Sequence, residues 1–183
     1  MVSTKGVKLK VILISMLITF SMGLAAKSSN DLPTASNVEV QRYVGKWNAI
    51  ASLPQFFTRK CVAQTAEYQI IGEGEISVLN TCLKEHDRET TIDGQAKVVN
   101  STTNAELVVT FNNFWTRLFR VKGDYIIIKL DQDYEYVLVG SPNRKSLWIM
   151  SREESMPSEV YNEYLNYAKS LGFDTDKLIV SKF

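Results

Sequence analysis

Apolar and polar residues alternate in short runs from about residue 45 to residue 151. In one run, Leu107, Val109 and Phe111 fall on one side of the chain, while Glu106 and Thr110 fall on the other. A period of two residues is typical of a β-strand with one buried face. The pattern predicts eight strands, at about residues 47–52, 61–68, 76–83, 91–99, 105–111, 124–130, 134–140 and 146–151.

Hairpin turns are expected between these strands. Gly72-Glu73-Gly74-Glu75 is one such turn, and no helical pattern separates the runs. The predicted fold class is therefore all-β, an eight-stranded antiparallel up-and-down barrel. The interior of such a barrel either fills with side chains or holds one small ligand. Gly94 lies inside the fourth run and predicts a bulge or bend.

The period changes to that of a helix after the eighth run. Ser155 or Ser158 is the predicted N-cap, Pro157 suits the first turn, and Gly172 follows the end. The apolar residues at helical spacing are Val160, Tyr164, Tyr167, Ala168 and Leu171. This stripe predicts a C-terminal α-helix that packs on the outside of the barrel.

The first residues have the pattern of an export signal. Three lysines precede the apolar run 11–20, and small residues follow at 21–26. This order predicts a cleaved signal peptide over 1–26, with an uncleaved anchor as the alternative. Residues 27–37 are rich in Ser, Asn, Asp and Pro and predict a flexible leader, so the folded domain is expected over 38–183. The protein is then periplasmic or secreted.

Charge and motif content exclude several classes of function. The predicted signal peptide holds three of the 21 basic residues and none of the 20 acidic ones, so its removal leaves a net charge of −2. Such a charge favours no nucleic-acid partner. His86 has no second ligand-type residue at metal spacing, so no metal and no cofactor are expected. No glycine-rich phosphate loop or nucleophile motif appears, which predicts a protein that is not an enzyme.

The alternation also predicts which side chains face the barrel interior. Many of them are Ala or Val, which leave room for a ligand, and a few are aromatic residues with a polar tip. The predicted ligand-binding residues are Ala66, Tyr68, Val78, Leu107, Val109, Phe111, Tyr125, Ile127, Val137, Val139 and Trp148. Ala49, Ala51, Ile76, Asn80, Ala96, Val98 and Met150 are expected on the same face. The alternative is that all of these residues fill a solid core.

Three short motifs occur in order along the chain. They are Gly45-Lys46-Trp47, then Asp131-Gln132-Asp133-Tyr134-Glu135-Tyr136, and finally Gly140-Ser141-Pro142-Asn143-Arg144 with Leu147-Trp148-Ile149-Met150-Ser151-Arg152. Together they resemble the motifs of the lipocalin family, in particular its bacterial and apolipoprotein D-like branch. The resemblance covers about residues 38 to 180.

The resemblance implies a structural role for Gly45, Trp47 and Arg152, with the Arg152 guanidinium stacked on the Trp47 ring at the closed end of the barrel. It implies a small hydrophobic ligand, such as a fatty acid or a lysophospholipid, and a role in storing or carrying it. Many bacterial members carry a lipidated cysteine at the mature N-terminus. This sequence has no cysteine near the predicted cleavage point, so we expect no lipid anchor.

Cys61 and Cys82 lie at similar distances from the turn near Gly72, which favours a disulfide between the second and third strands. Strict alternation disagrees, because it points Cys61 outward and Cys82 inward. A bulge, or an irregular lead-in that contains Cys61, would reconcile the two. If the cysteines are unpaired, Cys82 is a thiol facing the cavity.

Two other functions remain open from the sequence. One is an enzyme of the same fold that uses the Cys82 thiol. The other is a partner-docking or membrane-docking module with a solid barrel. Its contact would be the aromatic segment with Phe114, Trp115 and Phe119, whose alternative role is to fold over the barrel rim. Phe56 and Phe57 either guard the open end or pack locally. The sequence is compatible with peripheral membrane contact and with a monomer or weak homodimer.

Overall fold

The computed structural model describes residues 31–55, 58, 60–86, 88–112 and 122–183. These residues form helix α1 (Val40–Tyr43) at one end and helix α2 (Ser158–Ser170), a 3₁₀ turn (Thr175–Lys177) and strand β9 (Ile179–Val180) at the other. Between the helices lie β1 (Gly45–Ser52), β2 (Ala63–Gly72), β3 (Glu75–Lys84), β4 (Arg88–Val98), β5 (Glu106–Phe111), β6 (Lys122–Leu130), β7 (Tyr136–Gly140) and β8 (Leu147–Ser151). None of the helices formed by these residues is long and apolar enough to cross a membrane.

The strands form a closed antiparallel barrel. Each strand from β1 to β7 pairs with the next one along the chain. β8 then returns to β1, where Ser151 lies opposite Asn48. β1 has β2 on one side and β8 on the other, which closes the sheet. The predicted eight-stranded up-and-down barrel is confirmed.

Strand β1 contains a bulge that reverses the expected direction of one side chain. Ala49 lies opposite Met150, but the register shifts before Ala51, which lies opposite Ile149. Directly opposed residues of an antiparallel pair share a face of the sheet. Ala51 therefore shares the outer face with Ile149, and its predicted inward orientation is wrong. The extra residue at the bulge is Ile50.

Gly94 does not mark a bulge, contrary to the sequence-based prediction. It pairs in regular register with Val78 on β3 and with Phe111 on β5. A Cβ atom at this position would lie 2.5 Å from the backbone oxygen of Thr110. Glycine is therefore needed because two strands approach closely at this point.

The C-terminal helix packs on the outside of the barrel, as predicted. One cluster of buried apolar residues contains both helix residues, such as Tyr164 and Ala168, and barrel residues, such as Leu138 and Ile149. The predicted N-cap is wrong, because Pro157 is the N-cap and no side chain caps the helix. Lys129 reinforces the contact by lying over the rings of Tyr164 and Tyr167 and pairing with Glu163.

Strand β9 continues the sheet where β1 leaves β2. Pairing with β2 ends at Ala49, and β9 then lies opposite Ala51 and Ser52. The next two residues stay attached. Ser181 N donates to Ile50 O at 2.9 Å, and Lys182 N donates to Val62 O at 2.8 Å. The tail of the chain is thereby bonded to the segment that connects β1 with β2.

The segment before β1 packs against one end of the barrel. Leu32 is buried in the outer cluster, and Ala35 N donates to Ile127 O at 2.8 Å. Val38 N donates to Thr103 O, and Glu39 N donates to the Tyr134 hydroxyl. The packed part of the domain therefore starts at or before Leu32, inside the predicted leader. Residues 1–30, with the predicted signal peptide, lie outside the described residues.

Candidate functional site

The buried apolar residues form two clusters. The outer cluster contains residues of helix α2 and lies on the outside of the barrel. The other cluster lies inside the barrel, and we call it the inner cluster. All eleven predicted ligand-binding residues belong to this inner cluster, eight of them as fully buried members. Phe111, Tyr125 and Trp148 are its partly buried members among the eleven. The inner cluster also holds the predicted Ala49, Ile76, Ala96, Val98 and Met150. Asn80 is only partly buried and lies opposite Ala66.

Small side chains make up about half of the inner wall. Four alanines face inward, on four different parts of the chain: Ala49, Ala66, Ala96 and Ala105. Valine occupies many of the other inner positions. Tyr125 points inward opposite Leu107, yet its side chain is only partly buried.

The closed end of the barrel is sealed by Trp47 and Arg152. The Arg152 guanidinium carbon lies 3.8 Å from the centre of the Trp47 ring, in cation–π contact. Arg152 also donates to the backbone oxygens of Lys46, Arg42, Tyr43 and Tyr134. Its contact with Trp47 matches what the family resemblance implies.

Gly45 is required beside this pair for its backbone conformation. Its φ of +96° lies in the left-handed region that favours glycine. A Cβ atom there would lie 3.4 Å from Nη1 of Arg152, which is close to ordinary van der Waals contact. The glycine is therefore needed for the backbone turn into β1 rather than for space.

Three tyrosine hydroxyls meet inside the barrel next to Trp47. The hydroxyl of Tyr125 lies 2.6 Å from that of Tyr43 and 3.1 Å from that of Tyr68. The Tyr43 ring stacks on Tyr68 at 5.9 Å and lies 5.4 Å from the Trp47 ring. We call Tyr43, Tyr68 and Tyr125 the tyrosine trio.

Burial keeps the tyrosine trio neutral. Desolvation is the largest cause in all three residues; it raises the pKa of Tyr68 to about 12 and the pKa values of Tyr43 and Tyr125 well above the usual 10. The positive charge of Arg152 acts in the opposite direction on Tyr43 and Tyr68, but more weakly. The hydroxyls therefore stay protonated at physiological pH.

The two cysteines form a disulfide, with Cα atoms 5.2 Å apart. Cys82 lies on β3, opposite Gln64 of β2, while Cys61 precedes the first residue of β2. The irregular lead-in therefore reconciles the bond with the alternation of the strands. Since both cysteines are bonded, the cavity thiol required by the enzyme hypothesis is not available.

A groove of about 560 Å³ lies at the opposite end from Trp47, beside the disulfide. It is lined by Val62, Lys84, Glu85, His86 and Lys182. Lys84 and Lys182 are its cationic side chains and Glu85 is its acidic one. The two lysines give this groove a small excess of positive charge, and we call it the basic rim. Within the described residues, no three His, Cys, Asp or Glu side chains come close enough to hold a metal ion.

Several predicted contact residues of the open end cannot be placed. Phe56, Phe57, Phe114, Trp115 and Phe119 lie outside the described residues. Their predicted roles at the rim or at a membrane stay predictions.

The sequence-based prediction missed Tyr43, although it is one of the most buried residues of the inner cluster. Tyr43 lies in α1, not on a strand, so alternation cannot assign it a face. The one sequence feature that could have indicated its burial is its position four residues before Trp47. The Trp47 indole nitrogen donates to the backbone oxygen of Tyr43 at 2.8 Å, which holds the end of α1 against Trp47.

Comparisons with known proteins agree with this geometry. The model of the lipocalin-like domain matches residues 38–182. The chain is 33% identical over 171 residues to the outer membrane lipoprotein Blc of Vibrio cholerae, covering 92% of this chain and 94% of that protein. It is 30% identical over 157 residues to apolipoprotein D of Macaca fascicularis, covering 81% and 79%.

A solved structure with the same fold is insecticyanin from the tobacco hornworm, Manduca sexta. The TM-score is 0.66 at 21% identity, and the match covers 84% of this chain and 85% of that one. The closed barrel, the Trp47–Arg152 seal and the inward apolar wall define a ligand-binding type of barrel. The chain belongs to the lipocalin family.

Proposed function

We propose that this protein binds a small hydrophobic ligand, of the fatty acid or lysophospholipid class, inside its barrel and stores or carries it without chemical change. The observation that carries the proposal is the inner wall itself. About half of its side chains are Ala or Val, and the rest are larger aliphatic and aromatic residues. The predicted ligand-binding residues all contribute to this wall.

The energetics of such a site are sufficient for useful affinity. Each methylene group moved from water into an apolar site contributes about 0.8 kcal/mol. Ten buried methylenes would contribute about 8 kcal/mol, which corresponds to a dissociation constant near 1 μM before the costs of binding are subtracted. Longer acyl chains have room to offset those costs.

The basic rim supports an anionic headgroup at the open end. Lys84 and Lys182 both line the groove beside the disulfide, and Glu85 is its acidic member. An acyl chain that enters the barrel would leave its carboxylate or phosphate at this end, in contact with water and near the lysines. A charge in this position avoids the cost of burial.

The relatives support export and a role near membrane lipids. One is named an outer membrane lipoprotein and another an apolipoprotein. We propose that this chain is exported by its predicted signal peptide, residues 1–26, to the periplasm or outside the cell. Both cysteines of the sequence are in the disulfide, so neither can carry a lipid anchor. Membrane lipid maintenance is the role we propose, with the protein acting as a monomer or weak homodimer.

Native mass spectrometry of the exported protein tests the proposal, because it retains bound lipid and reports the oligomeric state. Displacement of a fluorescent fatty acid measures affinity in parallel. We expect added mass in the lipid range and displacement by hexadecanoic acid or by its lysophosphatidylethanolamine at low micromolar concentration. The absence of both signals at tens of micromolar ligand would contradict the proposal.

A further inference from the structure

The tyrosine trio contains three hydroxyl groups but makes two hydrogen bonds. Tyr125 is the central member, bonded to Tyr43 at 2.6 Å and to Tyr68 at 3.1 Å. Within the described part of the chain, these hydroxyls have no other hydrogen-bond partner on a protein residue. Tyr43 contributes its backbone oxygen, not its hydroxyl, to Trp47 and Arg152.

A count of protons shows that one donor is left over. Each phenol carries one proton to donate and can accept as well. If Tyr43 and Tyr68 both donate to Tyr125, the proton of Tyr125 has no acceptor. If Tyr125 instead donates to Tyr43 or to Tyr68, the proton of the tyrosine that accepts this bond has no acceptor. Every arrangement therefore leaves one O–H group unpaired, and a buried unpaired donor is costly.

The tyrosine trio faces the barrel interior. Tyr125 faces inward opposite Leu107 and is only partly buried, whereas Tyr43 is almost completely enclosed. Trp47 packs against Tyr43 on the side of the closed end. A molecule that enters through the open end meets the tyrosine trio at the bottom of the apolar wall.

The low polarity around the tyrosine trio favours an uncharged oxygen over a charged one. A carboxylate would lose most of its hydration there, and a single neutral O–H group does not replace it. Arg152, whose charge acts on Tyr43 and Tyr68, lies against Trp47, and four backbone oxygens already accept its hydrogen bonds. The same desolvation raises the pKa values of the three phenols, so they do not become anions themselves.

We propose that the tyrosine trio binds an uncharged oxygen, a hydroxyl or a carbonyl, at the end of the ligand that enters the barrel first. The inference rests on the proposed function and narrows it. The preferred ligand is an amphiphile with a second, neutral oxygen far from its headgroup. A plain saturated acyl chain would place a methyl group against the unpaired O–H.

The test compares two ligands that differ only at the buried end, hexadecanoic acid and its terminal-hydroxyl derivative, by displacement of a fluorescent fatty acid. Decanoic and dodecanoic pairs cover other insertion depths. The protein variants are wild type and the triple variant Tyr43→Phe, Tyr68→Phe, Tyr125→Phe. Phenylalanine keeps the ring shape and removes donor and acceptor together, which is expected to be nearly neutral for folding. Thermal unfolding checks that the triple variant is folded.

We expect wild type to bind the hydroxylated acid about threefold more tightly than the plain acid at the chain length that reaches the trio. In the triple variant we expect the preference to reverse, with the plain acid bound about tenfold more tightly, because the hydroxyl is then buried without a partner. Tyr68→Phe alone should keep the wild-type preference, since two hydroxyls with one hydrogen bond still leave one proton. Tyr161→Phe, on the outside of the barrel, is the matched control and should also keep it.

An equal preference in wild type and the triple variant would overturn the inference while leaving the proposed function intact. A triple variant that binds both acids about tenfold more weakly would also overturn it, because the trio would then hold the carboxyl headgroup. If wild type binds neither acid of any pair, the proposed function fails and the inference falls with it.

Discussion

The guanidinium carbon of Arg152 lies 3.8 Å from the centre of the Trp47 ring. The guanidinium also donates hydrogen bonds to four backbone oxygens, three of them on residues 42–46 and one on Tyr134. Lysine has the charge but neither the planar group nor enough donors. Arg152→Lys should therefore lower the free energy of unfolding by about 2–4 kcal/mol. Urea denaturation followed by tryptophan fluorescence measures the change.

Arg42→Lys is the matched control for this prediction. Arg42 also stacks on an aromatic ring, Tyr134 at 4.1 Å, but its side chain is exposed. An exposed pair of this kind contributes less than about 1 kcal/mol. An equal decrease in the free energy of unfolding for the two variants would show that the contact of Arg152 with Trp47 contributes no more than an exposed contact.

Val109→Phe separates a ligand-holding barrel from a solid one. Val109 faces inward on β5, and its neighbour Val108 faces outward. If the interior has free volume, the larger ring occupies it, so ligand affinity falls at least about tenfold with little loss of stability. In a solid core the same change would cost about 1–3 kcal/mol of stability. Displacement titration and thermal unfolding of Val109→Phe and of the control Val108→Phe give both readouts.

Gly94→Ala should destabilise the barrel by about 1–3 kcal/mol, because the new Cβ would lie 2.5 Å from the Thr110 backbone oxygen and force β4 and β5 apart. Gly123, on β6, has no atom within 4 Å of such a Cβ. Gly123→Ala is therefore expected to be neutral or slightly stabilising. Chemical denaturation of the two variants side by side measures the difference, and similar effects would contradict the close approach at Gly94.

Reduction of the disulfide should lower stability by about 3 kcal/mol, since the bond closes a loop with a sequence separation of 21 residues. The measurement compares denaturation midpoints with and without a reductant, and the double variant Cys61→Ala, Cys82→Ala serves as the control that no longer responds. Thiol titration of the unfolded, unreduced protein should find no free thiol. One free thiol per chain would contradict the bond.

Stability should fall as the solution becomes strongly alkaline. The folded-state pKa of Tyr68 is about 12, above the unfolded value of 10, and those of Tyr43 and Tyr125 are raised as well. The stabilising contribution of a raised pKa is complete below the unfolded value and is lost as the pH rises through the folded value. Unfolding midpoints measured at intervals from about pH 9 to about pH 12 should therefore decrease, and the triple Phe variant should decrease less.

The sequence predicted the inner wall well because alternation is a local property of each strand. Ala66 and Tyr68, for example, are fixed by the outward Glu67 between them. Ala51 was misplaced because the bulge in β1 depends on how β8 pairs with it, which no local pattern reports. Gly94 was misjudged for a similar reason, since its contact with Thr110 arises between strands.

The tyrosine trio needed the three-dimensional structure. Tyr43, Tyr68 and Tyr125 come from α1, β2 and β6, and only barrel closure brings their hydroxyls together. The sequence could place Tyr68 and Tyr125 on the inner face but could not show that they share a hydrogen-bond network. The disulfide, in contrast, was predicted from the sequence, and the irregular position of Cys61 before β2 is one of the two explanations that the sequence offered.

The backbone bond between Lys182 and Val62 places the tail of the chain beside the groove at the open end, whereas Leu32 packs in the outer cluster on the side of the barrel. The two ends are therefore not equivalent as attachment points. A protein immobilised through its C-terminus would have its entrance turned toward the support, and ligand exchange would be slowed. Attachment through the segment that precedes Leu32 would hold the protein by the side of the barrel and leave the entrance open to solution, so binding kinetics on a surface should be measured in that orientation.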